Sequence, residues 1–237
     1  MLLTTASALS GCGQDDESSD SQPIAPVDAP GSALADAPAV ATAKASVVRV
    51  RSDSPNCVME GSGFVVAPNR VMTPAQIVAG GQTFTVEVDG KSIDAHVVSY
   101  NPERDLAILD VPNLPTEPLS FAADEAAGGS DAILLGYPDT GGLTAIPARV
   151  REVIQLNGPD IYKTTTVSRE VYTIRGVGAK GASGGPLIDS DGKVLGISFG
   201  VAIDDSDTSF ALTAKEIEPQ LADLTNTVPV ATGRERC

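Results

Sequence analysis

The side chain whose setting most suggests chemistry is Ser183. It lies in the glycine-rich run Gly181-Ala182-Ser183-Gly184-Gly185-Pro186-Leu187, followed closely by Val194-Leu195-Gly196-Ile197-Ser198-Phe199-Gly200. A serine hydroxyl attacks a carbonyl when a second group takes its proton and later delivers it to the leaving group, which calls for a side chain that titrates near neutral pH. The chain holds a single histidine, His96, placed in the alternating run Asp94 to Tyr100, where a strand-surface histidine is the plain reading. Lys180 stands just before Ser183 and is the other candidate base; its plain reading is a solvent-facing loop lysine.

Other chemistries find little support. Asp205-Ser206-Asp207-Thr208-Ser209 with Glu216 beyond imitates the spacing of an EF-hand loop, but Phe210 stands where that loop needs glycine, so a solvated acidic turn is expected and no metal. No P-loop, dinucleotide fingerprint or cysteine-histidine zinc pattern occurs, and no cofactor is expected. With 16 basic against 31 acidic residues the net charge is −15, which excludes phosphate-backbone recognition driven by charge. Five Phe, four Tyr and no Trp make base-stacking platforms improbable, so nucleic acid is not an expected partner. No apolar run approaches the roughly 18 residues that a membrane-spanning helix requires.

The elements that must position Ser183 read as strands. From Val47 onward the chain is a series of short β-branched runs cut by Gly, Pro, Asn and Asp, among them Gly63-Phe64-Val65-Val66, Thr83 to Val88 and Ala107-Ile108-Leu109. Several alternate with period two, the mark of half-buried strands. A second group begins near Asp131 with Ala132-Ile133-Leu134-Leu135 and runs to Phe210-Ala211-Leu212. Two groups of about six strands predict an all-β fold of two small barrels or a sandwich. Short helices are expected at Pro74 to Ala79 and after Thr213, where Thr213-Ala214-Lys215-Glu216 has capping-box spacing and Pro219 predicts a kink or a late start.

The N-terminal part has a different composition. Residues 1–12 are uncharged and end in Leu9-Ser10-Gly11-Cys12, which resembles a bacterial lipobox and implies a signal peptide with a lipid on Cys12. Residues 13–46 are rich in Asp, Ser, Ala and Pro and predict a disordered acidic tether, reaching roughly 30 to 35 Å. These features place residues 47–237 as a domain exported and held on the outer face of the cytoplasmic membrane, with the membrane touched through the lipid alone. With Cys12 lipidated, Cys57 and Cys237 remain; an exported compartment allows them to oxidise to a disulfide, and two free thiols are the alternative.

Three blocks together carry a family resemblance. Gly181 to Leu187 resembles the nucleophile loop of chymotrypsin-like serine proteases. Gly61-Ser62-Gly63-Phe64-Val65-Val66 with Val71-Met72-Thr73-Pro74-Ala75-Gln76-Ile77-Val78 resembles the segment that supplies their histidine, and Asp105-Leu106-Ala107-Ile108-Leu109 the segment that supplies their acid. The blocks follow the family's order and cover roughly Val47 to Cys237. The resemblance is closest to the HtrA-like branch, and within it to the MarP-type periplasmic acid-resistance proteases, which share phrases such as Gly158-Pro159-Asp160-Ile161-Tyr162. It implies two six-stranded antiparallel β-barrels with a short C-terminal helix. It also implies Ser183 as nucleophile, Asp105 as the acid, an oxyanion hole from the amides of Gly181 and Ser183, a strand at Ser198, Phe199 and Gly200 that pairs with an extended peptide, and Val177 at the base of the first specificity pocket.

The departure is Gln76, which occupies the histidine position. A carboxamide has no proton to trade near neutral pH, yet it can copy the hydrogen bonds: its NH₂ donating to Asp105 and its carbonyl accepting from Ser183. The expectation is a monomeric pseudoprotease that keeps a cleft for an extended peptide or protein segment. The alternative is a working endopeptidase that uses His96, Lys180 or a partner's group as base.

Overall fold

The computed structural model describes residues 25–139, 141–176 and 182–235. Twelve strands form two closed antiparallel barrels of six strands each. The first contains β1 (Val47–Ser54), β2 (Cys57–Ala67), β3 (Arg70–Thr73), β4 (Thr83–Val88), β5 (Lys91–Asn101) and β6 (Leu106–Asp110). The second contains β7 (Asp131–Gly136), β8 (Thr144–Pro159), β9 (Thr166–Arg175), β10 (Pro186–Ile188), β11 (Val194–Val201) and β12 (Thr208–Thr213). The first barrel closes by pairing β1 with β4, Val50 opposite Val86, and the second by pairing β10 with β7, Leu187 opposite Leu134.

Period-two alternation explains the cores. Val48, Val50, Val65, Val71, Val86, Val97 and Leu109 fill the first barrel, and Ala132, Leu134, Val150, Leu187, Leu195 and Ala211 fill the second. A third cluster lies between them: Phe64, Met72 and Ile108 pack with Ile133, Leu135, Val171, Ile197 and Leu212. Burying that face on both partners fixes one barrel against the other, and the candidate site lies along their junction.

The N-terminal segment departs from expectation. Residues 25–46, assigned to a disordered tether, lie on the barrels instead. A 3₁₀ turn at Ser32–Asp36 leads into α1 (Pro38–Lys44), whose Val40 and Ala43 are buried, and Leu34 and Ala37 pack on the same cluster. These four residues recur every third position, a one-sided apolar stripe that the Asp and Pro content of the segment obscures. Further upstream, Arg151 Nη1 donates to the Ala25 carbonyl at 3.0 Å and Arg175 Nη1 to that of Val27 at 2.7 Å. The lipobox-like Cys12 lies outside the described residues.

Two other helices complete the chain: α2 (Ala75–Val78), and α3 (Ala214–Leu221), which carries Pro219 without a late start. The Thr213 hydroxyl caps α3 by accepting from Glu216 N–H at 3.2 Å. The other half of the expected capping box does not form, because the Glu216 carboxylate is taken by the Glu170 N–H and by Arg104, linking the second barrel to the turn before β6. After α3 the chain crosses back to the first barrel, where Val230 N–H donates to Val97 and Thr232 accepts from Gly80. Cys57 is disulfide-bonded, with its partner outside the described residues.

Glu170 beside α3 makes stability depend on pH. The ammonium of Lys215, 2.8 Å from Oε2, is the main cause that holds this carboxyl below the usual glutamate range; the Thr213 hydroxyl adds to it and burial opposes it. Because the folded pKa is depressed, the stabilisation is complete above the unfolded pKa and is lost as pH falls through the folded one. Thermal melts of the wild type and of Lys215→Met should therefore differ by a degree or two at about pH 6 and converge towards about pH 3. A constant offset across that range would contradict this assignment.

Candidate active site

Gln76 sits in α2, a single turn between Pro74 and Ala79 whose Ala75, Ile77 and Val78 are buried against the first barrel. With those neighbours packed inward, Gln76 is left half-buried at the barrel junction. Asp105 ends the turn after β5, in which Asn101 Oδ1 accepts from Arg104 N–H at 3.0 Å. Its φ is +58°, a left-handed conformation that Asp and Asn adopt more readily than most residues. Asp105 is 4% exposed, and it clamps Gln76 at two points: Oδ1 accepts from Gln76 N–H at 2.8 Å and Oδ2 from Gln76 Nε2 at 2.9 Å.

Ser183 is placed by backbone contacts across the two barrels. Its carbonyl accepts from Ser62 N–H at 2.9 Å, and the next two amides are also used, Gly184 donating to Ser198 and Gly185 to Ala182. Both glycines are sterically required. A Cβ on Gly184, whose φ is +90°, would lie 2.2 Å from the Ser62 carbonyl oxygen, and one on Gly185 would lie 1.7 Å from that of Leu135. The loop is thus pinned tightly enough to hold a hydroxyl at a fixed point.

That hydroxyl differs from expectation in one respect. Ser183 Oγ is buried and has no hydrogen-bond partner among the described residues, so the Gln76 carbonyl does not accept from it. Gln76 reproduces the bond to the acid and leaves out the bond to the serine. A buried hydroxyl without an acceptor has nowhere to send its proton. His96 is exposed on β5 opposite Asp110 and makes no bond to Ser183 Oγ. Lys180, Gly181 and Val177 lie outside the described residues, as does Cys237.

The proposed peptide strand is also modified. Ser198 uses both main-chain groups internally, its N–H donating to Gly185 at 2.8 Å and its carbonyl accepting from Gly184 at 2.9 Å. The pairing of β10 with β11 reaches only Ile197, so among the described residues Gly200 has β12 on one side and no named strand on the other, with Phe199 in the irregularity before it. That open edge is where an extended chain has room to add.

One residue of the site was not anticipated from the sequence. Arg169 on β9 is 2% exposed and faces a cleft of about 300 Å³ that it lines together with Gln76, Asp105 and Phe199. Its guanidinium lies 5.1 Å from the Phe199 ring centroid, and Nη2 donates to the carbonyls of Glu103 and Pro159. Burial pushes this group down from its ordinary value, and the nearby carboxylate of Asp105 acts in the opposite direction. The signal was present in the alternation of β9, where Arg169, Val171 and Thr173 share a face and Val171 belongs to the packing between the barrels.

The EF-hand-like turn has its own occupation. Asp205 accepts from Asp207 N–H and from the Thr208 hydroxyl, the latter being the main cause of its lowered pKa, and Asp207 pairs with Arg175 at 2.7 Å. No group of three or more His, Cys, Asp or Glu poised to hold a metal occurs among the described residues.

Comparison with known proteins agrees with this geometry. The family described as Trypsin-like peptidase domain matches residues 61–197. Serine protease Rv3671c of Mycobacterium tuberculosis is 53% identical over 214 residues, which is 89% of this chain and 54% of that protein. The chain thus spans about half the length of this relative. The crystal structure of the Rv3671c protease in its active form superposes with a TM-score of 0.88 at 50% identity, covering 96% of this chain and 99% of that one; an inactive form gives 0.77 at 52% identity over 84% and 99%. A probable periplasmic serine endoprotease of Brucella suis, DegP-like, is 29% identical over 176 residues, 69% of this chain and 33% of its own. With a family model over more than half of its length and a relative at 53% identity, the chain belongs to the trypsin-like serine peptidase family.

Proposed function

We propose that this chain is a proteolytically silent member of the family that binds an extended peptide or protein segment in the retained cleft. The observation that carries the reading is the double clamp of Gln76 on Asp105 beside a Ser183 hydroxyl with no acceptor among the described residues. In an active triad the imidazole accepts the serine proton as the tetrahedral intermediate forms, and the acid steadies the imidazolium. A carboxamide does neither. Gln76 Nε2 meets the second oxygen of the buried Asp105 carboxylate, and so preserves the architecture while removing the proton shuttle.

The open edge at Phe199 and Gly200 supports peptide binding by strand addition. The lipobox-like Cys12 supports anchoring outside the cytoplasmic membrane. No helix among the described residues is long and apolar enough to cross a membrane. Asn56, beside Cys57, bonds Glu235 at 3.1 Å, which supports Cys237 as the disulfide partner and so an oxidising compartment. The activity is tested with an unfolded protein substrate: turnover by the purified wild type should equal that of Ser183→Ala. Cleavage that disappears in Ser183→Ala would replace this reading with an endopeptidase using another base.

A further inference from the structure

The cleft beside Gln76 and Asp105 is walled by the end of β8, by Asp160, Ile161 and Lys163 of the turn into β9, and by Arg169 and Phe199. Its acids are already engaged. Asp160 accepts from Tyr162 N–H at 3.0 Å, from Thr164 N–H at 2.8 Å and from the Thr164 hydroxyl. Asp105 holds both N–H donors of Gln76. Its cations are not engaged to the same degree. Arg169 is 2% exposed, yet its Nε has no hydrogen-bond partner among the described residues, and Lys163 stands exposed at the rim.

With Nη2 spent on the Glu103 and Pro159 carbonyls, the guanidinium keeps unmet donors and is penalised until an acceptor arrives, and a carboxylate meets such a cation through a charge-assisted bond. We propose that this cleft selects an extended peptide carrying one carboxylate side chain, Asp or Glu, which pairs with Arg169 and Lys163 while the backbone lies along Phe199 and Gly200. The proposal rests on the peptide-binding reading above and adds the chemistry of the residue it recognises. The net charge of −15 sets a second condition: an acidic segment is repelled at long range, so the carboxylate stands alone in an otherwise neutral or basic peptide.

The test uses the full chain and fluorescein-labelled heptapeptides of Ala, Ser and Val, with a single Glu or Gln walked through every position, titrated by fluorescence anisotropy. At one position Glu should bind about tenfold tighter than Gln. Lys163→Asn, which suits the left-handed φ of +58° at that residue, should reduce the ratio severalfold without changing the melting temperature. Arg169→Lys, which keeps the charge and removes the guanidinium held on the Glu103 and Pro159 carbonyls, should reduce it further. Equal binding of the Glu and Gln peptides at every position overturns the proposal and leaves peptide binding standing, as does a ratio untouched by Lys163→Asn. Failure of every peptide to bind overturns both.

Discussion

Gln76→His should raise the rate at which a fluorophosphonate labels Ser183 by about 10⁴-fold or more. In subtilisin, loss of the histidine alone costs about 10⁶ in kcat, roughly 8 kcal/mol of transition-state stabilisation, and the reverse exchange recovers most of that where the other parts stand ready. Here they do. Asp105 already receives a donor from the side chain at position 76 at 2.9 Å, the bond that fixes an imidazole tautomer, and Ser183 is held by its carbonyl on Ser62 and by the two glycines that follow. The measurement is a labelling time course read by in-gel fluorescence, with Gln76→His/Ser183→Ala as the control. An unchanged rate would mean that more than the base has been lost.

The second large effect concerns the acid. Asp105→Ala removes the acceptor of the Gln76 N–H and Nε2 donors and one of the carboxylates that favour the charged form of the buried Arg169, and it places a Cβ-bearing residue without a polar side chain at φ +58°. Unmet buried donors, a less favourable setting for the buried cation and backbone strain together cost about 3 to 5 kcal/mol. For a chain of this size that lowers the melting temperature by roughly 6 to 20 °C. Asp105→Asn keeps one acceptor and suits the backbone conformation, so it should lose about half as much by the same scale. Circular-dichroism melts decide the matter: an Asp105→Ala protein that melts with the wild type would show that the clamp on Gln76 contributes nothing to the fold.

The barrels were legible because half-buried strands declare themselves by alternation, and Val47, Gly63 to Val66 and Ala132 to Leu135 alternate or run apolar in the expected places. The Gln76 to Asp105 bond was legible through the resemblance, since both blocks matched in order and spacing. The state of Ser183 Oγ was not. It depends on how the hydroxyl packs once the loop is pinned to Ser62, and no pattern of residue types encodes that. Arg169 was missed because alternation tells which residues of β9 share a face but not that this face meets the other barrel next to Asp105. The segment 25–46 was misread for the opposite reason. Its Asp, Ser and Pro content dominated the reading, while four weakly apolar residues, Leu34, Ala37, Val40 and Ala43, were sufficient to dock it.

The most direct test of the account is the rate at which a fluorophosphonate modifies Ser183 in the unaltered protein, because the reagent needs an activated serine hydroxyl and no knowledge of the natural ligand. The account predicts labelling indistinguishable from that of Ser183→Ala over hours. Modification of Ser183 within minutes, at the rate of a working serine protease, would contradict it.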